Sequence, residues 1–265
     1  MLTMATLFAA MQLLGVITSI FALLSTRTSQ GTIAWVVTLI AFPWLGVPAY
    51  LFFGRTRFNG YVSARLEDEK DFRGKLGLFS KEIDPFLINS SKQTKELAAF
   101  ETLAKLPFSQ ANKATLLING RETFDDIFQG ISQAQHYILV QFYIINDDRL
   151  GEQLFDSLAK AVSRNVRVFL LYDDIGCYHL NERYLSRLTQ VGVLVNSFHS
   201  TRNVQNRFQL NFRNHRKIVV VDGKTAWLGG HNVGDEYLGR NPKYPNWRDT
   251  HIRLDGPAAL GVQLS

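Results

Sequence analysis

His215 and Lys217 stand two residues apart, immediately before the unbroken apolar run Ile218-Val219-Val220-Val221. Such a run is the pattern of a strand covered on both sheet faces. Residues two apart on a strand share a side, so an imidazole and an ammonium are expected together at one end of a buried strand. Asp222-Gly223 supplies a two-residue hairpin signal, and Thr225 to Leu228 a second short strand. With Asp222-Gly223 as the loop, Val221 pairs with Lys224, Val219 with Ala226, Lys217 with Leu228 and His215 with Gly230. The residue facing the histidine then has no side chain, and the amides of Gly229-Gly230 can approach whatever lies beside the imidazole. Asn232 adds an amide donor just beyond. A cation, an imidazole, backbone N–H groups and an Asn around one gap describe a pocket for a phosphate. A register slip of one residue would break this construction.

Each feature alone has an ordinary explanation, such as a packed core histidine or a simple turn. Together they read H-x-K-x4-D-x6-G-G-x-N across residues 215–232. This combination resembles the signature of the phospholipase D superfamily. Asn211-Phe212-Arg213-Asn214, Gly234-Asp235-Glu236-Tyr237-Leu238-Gly239 and Trp247-Arg248-Asp249-Thr250-His251 resemble bacterial cardiolipin synthases in particular.

Neutral imidazole is a competent nucleophile near neutral pH. The resemblance implies that His215 forms a covalent phosphohistidine, which an incoming alcohol resolves. It also implies that Lys217, Asn232 and the amides of Gly229 and Gly230 stabilise the five-coordinate transition state. Arg213, with Arg207 and Arg216, would draw in a headgroup phosphate. Asp249 is expected to reach His215 and fix its tautomer. Asp222 belongs to the motif but sits at the expected turn and looks structural. Lysine and imidazole supply what a metal would otherwise supply, so no metal or cofactor is implied. In a cardiolipin synthase, donor and acceptor are both phosphatidylglycerol, and glycerol leaves.

The elements that must position these groups alternate from Ala114 onward. Strands are expected at Leu116 to Ile118, Tyr137 to Ile145, Val166 to Tyr172, Val193 to Val195 and Thr250 to Leu254. Helices are expected at Glu122 to Gln133, Gly151 to Val162 and Glu182 to Val191. The order is α/β, with helices on both faces of a mixed sheet. Asp173-Asp174 ends a strand with no His or Cys nearby in sequence, which points to a turn or helix start rather than a metal pair.

Residues 1–54 contain one charged side chain, Arg27. Met1 to Leu24 and Thr32 to Phe53 are each uncharged and long enough to cross a bilayer, which takes about 20 residues; Pro43 and Pro48 are expected to kink the second. The first lacks the charged start and small-residue cleavage site of a signal peptide. Two transmembrane helices are therefore expected over 1–54, then a charged linker with short helices at Asp84-Pro85 and Thr94 to Leu106 over 55–107. A single phospholipase D-like lobe follows over 108–265. Arg55, Arg57 and Arg65 follow the second span, which puts the lobe on the cytoplasmic side of a bacterial inner membrane.

The net charge of +6 suits anionic lipid and nucleic acid equally, while the membrane hairpin argues against nucleic acid. Cys177, the single cysteine, excludes an internal disulfide and reads as a small buried hydrophobe. Superfamily enzymes use two such motifs, the second imidazole serving as general acid, whereas the sequence holds one. His136, His179, His199, His231 and His251 lack the motif's context, and the second lobe is expected to be absent. The expected partners are phosphatidylglycerol, the bilayer, and either a second copy or a separate second lobe. The alternatives are a truncated, inactive chain or tethered partner, and a dimeric nuclease.

Overall fold

The computed structural model describes residues 3–25, 29–54, 83–88, 95–104, 106–198 and 213–264. The chain divides into two units, residues 1–72 with 200–212 and residues 73–199 with 213–265.

In the first unit the apolar segment Met4–Ser25 forms one 22-residue helix, α1. At 1.5 Å per residue it is about 33 Å long, enough for a hydrocarbon core of about 30 Å. The second expected span does not form as one helix. Proline disfavours helical geometry in the residue before it, and Phe42 is accordingly non-helical at φ −136°, ψ 62°. The break leaves α2, Ser29–Ala41, and α3, Pro43–Phe53, with Pro43 at the first turn of α3. Their 13 and 11 residues reach about 20 and 16 Å. Two full spans are thus corrected to one helix of spanning length and two shorter apolar ones. The three helices pack around Ala22, Leu39 and Val47, with Trp35 and Tyr50 against them. Leu13, Phe21, Ile33, Leu45 and Phe52 remain exposed on the outside.

Most of the expected linker lies outside the described residues, as do Arg27, Arg55, Arg57 and Arg65, on which the orientation rests, and Arg207. Of its helices, Asp84-Pro85 opens a single 3₁₀ turn, Asp84–Phe86, and the second is α4, Lys95–Ala104.

The second unit follows the expected alternation: β1 Lys113–Ile118, α5 Asn119–Gln133, β2 Tyr137–Phe142, α6 Arg149–Ser163, β3 Arg167–Asp173, α7 Glu182–Gln190, β4 Leu194–Phe198, β5 Ile218–Val221, β6 Thr225–Gly229 and β7 Thr250–Asp255, with an unexpected short helix α8, Ala258–Gln263, after it. The seven strands form one sheet in the order β1-β7-β6-β5-β2-β3-β4. Strands β2, β3 and β4 run parallel, and β5 is antiparallel to β2. The ends of β2 and β3 and the start of β5 therefore meet on one sheet edge, where open α/β sheets bind ligands.

The two faces are covered unequally. Phe124, Ile127 and Ile131 of α5, Leu150, Leu154 and Leu158 of α6, and Tyr184 and Leu188 of α7 bury one face together with Ile138, Val140, Val168, Leu170 and Val219. On the other face the short α8 sets Ala259 and Val262 against Leu139, Ile218, Val220 and Ala226. Cys177 is buried in the larger core, and burial pushes its thiol up to about 12.

The hairpin register differs from the expectation by one residue. Val221 pairs with Thr225, Val220 with Ala226, Val219 with Trp227 and Ile218 with Leu228. The loop has three residues, Asp222-Gly223-Lys224, with Asp222 at φ 52° and Gly223 at φ 66°. Asp222 is held elsewhere, because its carboxylate accepts the amides of Gln135, His136 and Tyr137, each at 2.8 Å. Its own N–H donates to the Tyr137 carbonyl. The motif aspartate therefore ties the hairpin to the start of β2, at the far end of β5 from His215.

Candidate active site

His215 lies on the sheet edge just before β5, exposed, while Lys217 is 4 % exposed. The expected pairing of imidazole and ammonium is present. Lys217 Nζ lies 3.1 Å from His215 Nδ1 and donates to the His215 carbonyl at 2.8 Å. An ammonium only donates, so Nδ1 is its acceptor and neutral imidazole carries its proton on Nε2 in this arrangement. Tyr143, two residues past Gln141 of β2, packs its ring 4.5 Å from the imidazole and 5.2 Å from the Lys217 ammonium. Arg213 donates to the Tyr143 hydroxyl at 3.2 Å.

The charges set the titration of this pair. Although His215 as a residue is exposed, burial of its ring lowers its pKa; Lys217 and Arg213 lower it further, and Asp173 opposes them. Burial brings the Lys217 ammonium down to about 8, against the upward pull of Asp249. Among the described residues no carboxylate forms an ion pair with Lys217.

Among the described residues neither Asp173 nor Asp249 hydrogen-bonds the His215 ring; Asp173, at the end of β3, is the carboxylate whose charge raises the His215 pKa. One Asp173 oxygen accepts the Asn214 amide at 2.7 Å, and the other accepts those of Ile175 and Gly176, each at 2.9 Å. Asp249 instead accepts the Thr250 amide at 2.7 Å. It fills the space beside Gly230, where an added Cβ would run into its carboxylate. The Gly230 N–H is also engaged, donating to the Thr250 carbonyl at 3.1 Å. The register explains this correction. Shifted by one, Gly230 no longer faces His215 and serves Asp249 instead. Gly229 in turn admits His251, whose Cγ would lie 2.6 Å from an added Cβ.

Asn232 is buried. Its Oδ1 accepts the Ile144 amide at 3.0 Å and its Nδ2 donates to the Tyr237 hydroxyl at 2.9 Å. It joins the segment after β6 to the segment after β2, leaving one amide hydrogen for any further partner. Behind the glycines, His231 and His251 bring their Nδ1 atoms within 3.0 Å. Both are buried; burial lowers His231, and burial with the neighbouring His231 brings His251 down to about 4. Among the described residues no group of three or more His, Cys, Asp or Glu side chains is placed to hold a metal ion.

Tyr143 and Asp173 were not identified as site residues from the sequence. They lie 72 and 42 positions before His215, and only the antiparallel placement of β5 beside β2 brings them to it. An aspartate closing a buried strand was the one signal available, and it also fits a turn.

Comparison with known proteins matches residues 127–243 to the family described as cardiolipin synthase, PLD-like domain. Residues 13–55 match the phospholipase D-nuclease N-terminal family. Over nearly its whole length the sequence is similar to the cardiolipin synthase A proteins. That of Pseudomonas aeruginosa PAO1 is 42% identical over 98% of this chain and 54% of the relative. That of Pseudomonas syringae pv. syringae is 44% identical over 96% and 53%. The chain spans about half the length of the curated relatives it matches. Among solved structures, NucT from Helicobacter pylori is similar at 16% identity with a TM-score of 0.46, over 58% of this chain and 92% of that one.

Proposed function

We propose that this chain carries one half-site of a membrane-bound phosphatidyltransferase, exchanging a phosphatidyl group between two phosphatidylglycerol molecules with release of glycerol. The observation that carries this reading is a lysine only 4 % exposed, with no carboxylate among the described residues to pair it, placed against an exposed imidazole. Such a pair suits a phosphodiester, which brings the missing anion and the electrophile together.

On entry, a non-bridging phosphate oxygen takes the Lys217 ammonium. His215 Nδ1 then holds the imidazole proton, and the Nε2 lone pair is free. Nε2 forms a bond to phosphorus as the bond to the departing glycerol oxygen breaks, and that oxygen takes a proton from a general acid. The hydroxyl of a second phosphatidylglycerol then attacks the phosphohistidine, gives its proton to the same group and releases His215. Lys217 and Arg213 offset the charge that develops on phosphorus. The acid is a second imidazole, from a second copy of the chain or from a separate second lobe.

Residues 1–54 anchor the enzyme in the bacterial inner membrane. Residues 55–107 connect, and residues 108–265 face the cytoplasm. The exposed apolar exterior of α1–α3 supports an anchor, since soluble surfaces rarely carry so much contiguous apolar area.

The test uses the full chain in vesicles containing phosphatidylglycerol labelled in its terminal glycerol, at densities that allow copies to pair. Expected are an alkali-stable, acid-labile phosphoprotein, released labelled glycerol and a two-phosphate lipid, all lost in His215→Ala. Glycerol release without the two-phosphate lipid would turn the reading to hydrolysis. No phosphoprotein from the wild-type chain at any density would refute it.

A further inference from the structure

We infer that Tyr143 is the positioning residue for His215: its ring fixes the imidazole and, through Arg213 and Lys217, sets the spacing of the cations around the incoming phosphate. The inference rests on the phosphatidyltransferase reading for its kinetic consequence, but not for its geometry.

One side chain touches all three charged or nucleophilic groups at the mouth of the site. The Tyr143 ring centroid is 4.5 Å from that of His215, with the planes inclined at 51°. The Lys217 ammonium stands 5.2 Å from the same ring, within the range of a cation–π contact. The hydroxyl accepts from Arg213, which leaves its own proton available to a substrate oxygen. These contacts limit the imidazole to orientations with Nδ1 toward Lys217 and the opposite ring edge outward.

The ring is itself held. Tyr143 is 9 % exposed. Gly176 lies directly behind it, where a Cβ would come within 2.8 Å of two ring carbons and 2.0 Å of the Tyr143 carbonyl. Asp173 fixes both sides of the gap. It holds Gly176 behind the tyrosine with one oxygen and Asn214, next to the histidine, with the other. Asp173 is 1 % exposed, and charge-assisted bonds of this kind are short and strong. The distance between phenol and imidazole is therefore set by one buried carboxylate. This arrangement is more than core packing requires, since the His215 side of the ring faces the open edge.

The test compares Tyr143→Phe with Tyr143→Leu in the full chain, with circular dichroism to establish folding. Tyr143→Met replaces the leucine variant if that one does not fold. The first readout is the His215 ring proton resonances in a histidine-labelled sample, identified by their loss in His215→Ala. Removing the aromatic ring is expected to shift these resonances and raise the His215 titration toward that of free imidazole, and Phe is expected to preserve both. The second readout is kinetic. Formation of phosphohistidine should fall about 100-fold in the ring-less variant, the cost of misplacing a reacting group by about 1 Å. Tyr143→Phe should keep that rate within a few-fold and raise KM instead, through loss of the Arg213–hydroxyl contact.

A His215 resonance and titration unchanged in the ring-less variant would overturn the inference. So would an unchanged rate of phosphohistidine formation. If the wild-type chain forms no phosphohistidine, the phosphatidyltransferase reading fails, and the resonance and titration still decide for or against the positioning role.

Discussion

Replacing Lys217 by arginine is expected to remove the lysine's component of the alkaline limb of the pH–rate profile. Burial lowers the Lys217 ammonium from its ordinary 10.5 to about 8, a difference of about 3 kcal/mol on the scale of roughly 1.4 kcal/mol per pH unit. At pH 7 about 90 % of the side chains are then cationic, and at pH 9 about 10 %, by the ordinary titration relation. A reaction that needs the ammonium should lose about tenfold between those values. Guanidinium stays charged throughout, so Lys217→Arg should be slower, because its fork does not reproduce a point charge, yet without the component that titrates near 8, leaving only the fall set by the general-acid imidazole. The acid limb should remain and should lie below the usual imidazole value, because His215 is lowered. The assay is the rate of phosphoprotein formation from phosphatidylglycerol vesicles between pH 5 and 10. A second measurement is independent of turnover: the lysine ε-carbon resonance missing from Lys217→Met should titrate near 8. An ε-carbon that titrates at 10 or above, or an arginine variant with the wild-type alkaline limb, would refute the reasoning.

Three further outcomes are expected. Asp222→Asn should lower the unfolding free energy by about 2 kcal/mol at pH 7, the scale of hydrogen bonds to a charged group. Burial alone would raise the Asp222 pKa, but the three backbone amides outweigh it and the net shift is downward. The stabilisation is therefore present above the unfolded value of about 3.9 and lost as pH falls through the folded one, so the two proteins should converge in acid denaturation below pH 4. Gly230→Ala should cost about 1–3 kcal/mol by overpacking against Asp249; the original register, with open space at Gly230, would predict almost no loss in a thermal melt. Asp173→Asn should lower the His215 titration further, since the Asp173 charge is what raises it, as histidine NMR would record.

The sequence was most informative where the physics is local. Apolar periodicity located the seven strands and the helices α5 to α7 to within a few residues, because each helix buries one face against the same core, whereas the short α8 and the 3₁₀ turn Asp235–Leu238 were not expected. The spacing of His215 and Lys217 was sufficient to bring them together, as two residues of extended chain before a strand require. What failed depended on distant chain. A two-residue loop at Asp222-Gly223 was the natural choice until Asp222 is seen accepting amides from residues 135–137, which draws Lys224 into the turn. That single shift moved Gly230 from His215 to Asp249. Proline at 43 signalled a kink, but whether it bends or breaks a helix depends on Phe42 leaving the helical region. Unequal covering of the two sheet faces was equally illegible, since the pattern of a buried strand is the same whatever covers it.

The treatment of cations in this unit bears on why Lys217 is buried at all. Arg253 is partly exposed and lies against two carboxylates, Asp126 and Asp255. Lys217 is far more buried, and among the described residues its neighbours are a carbonyl, an imidazole nitrogen and an aromatic face, with Asp249 acting only at a distance. A buried charge without its counterion is destabilising, and hydrophobic residues of similar volume would fill the same space at no such cost. A structural role therefore predicts the opposite arrangement, with Lys217 paired and Arg253 not. An anion that arrives with the substrate resolves the difference. It brings back interaction energy that the folded chain lacks, and brings it only when phosphorus is beside His215, so the stabilisation falls on the bound and reacting states. By this argument Lys217→Met should unfold at higher denaturant concentration than the wild-type chain at pH 7, and lose that advantage above pH 8, where wild-type Lys217 becomes neutral. If Lys217→Met is instead less stable at neutral pH, the ammonium is contributing to the fold, and its burial says nothing about a substrate.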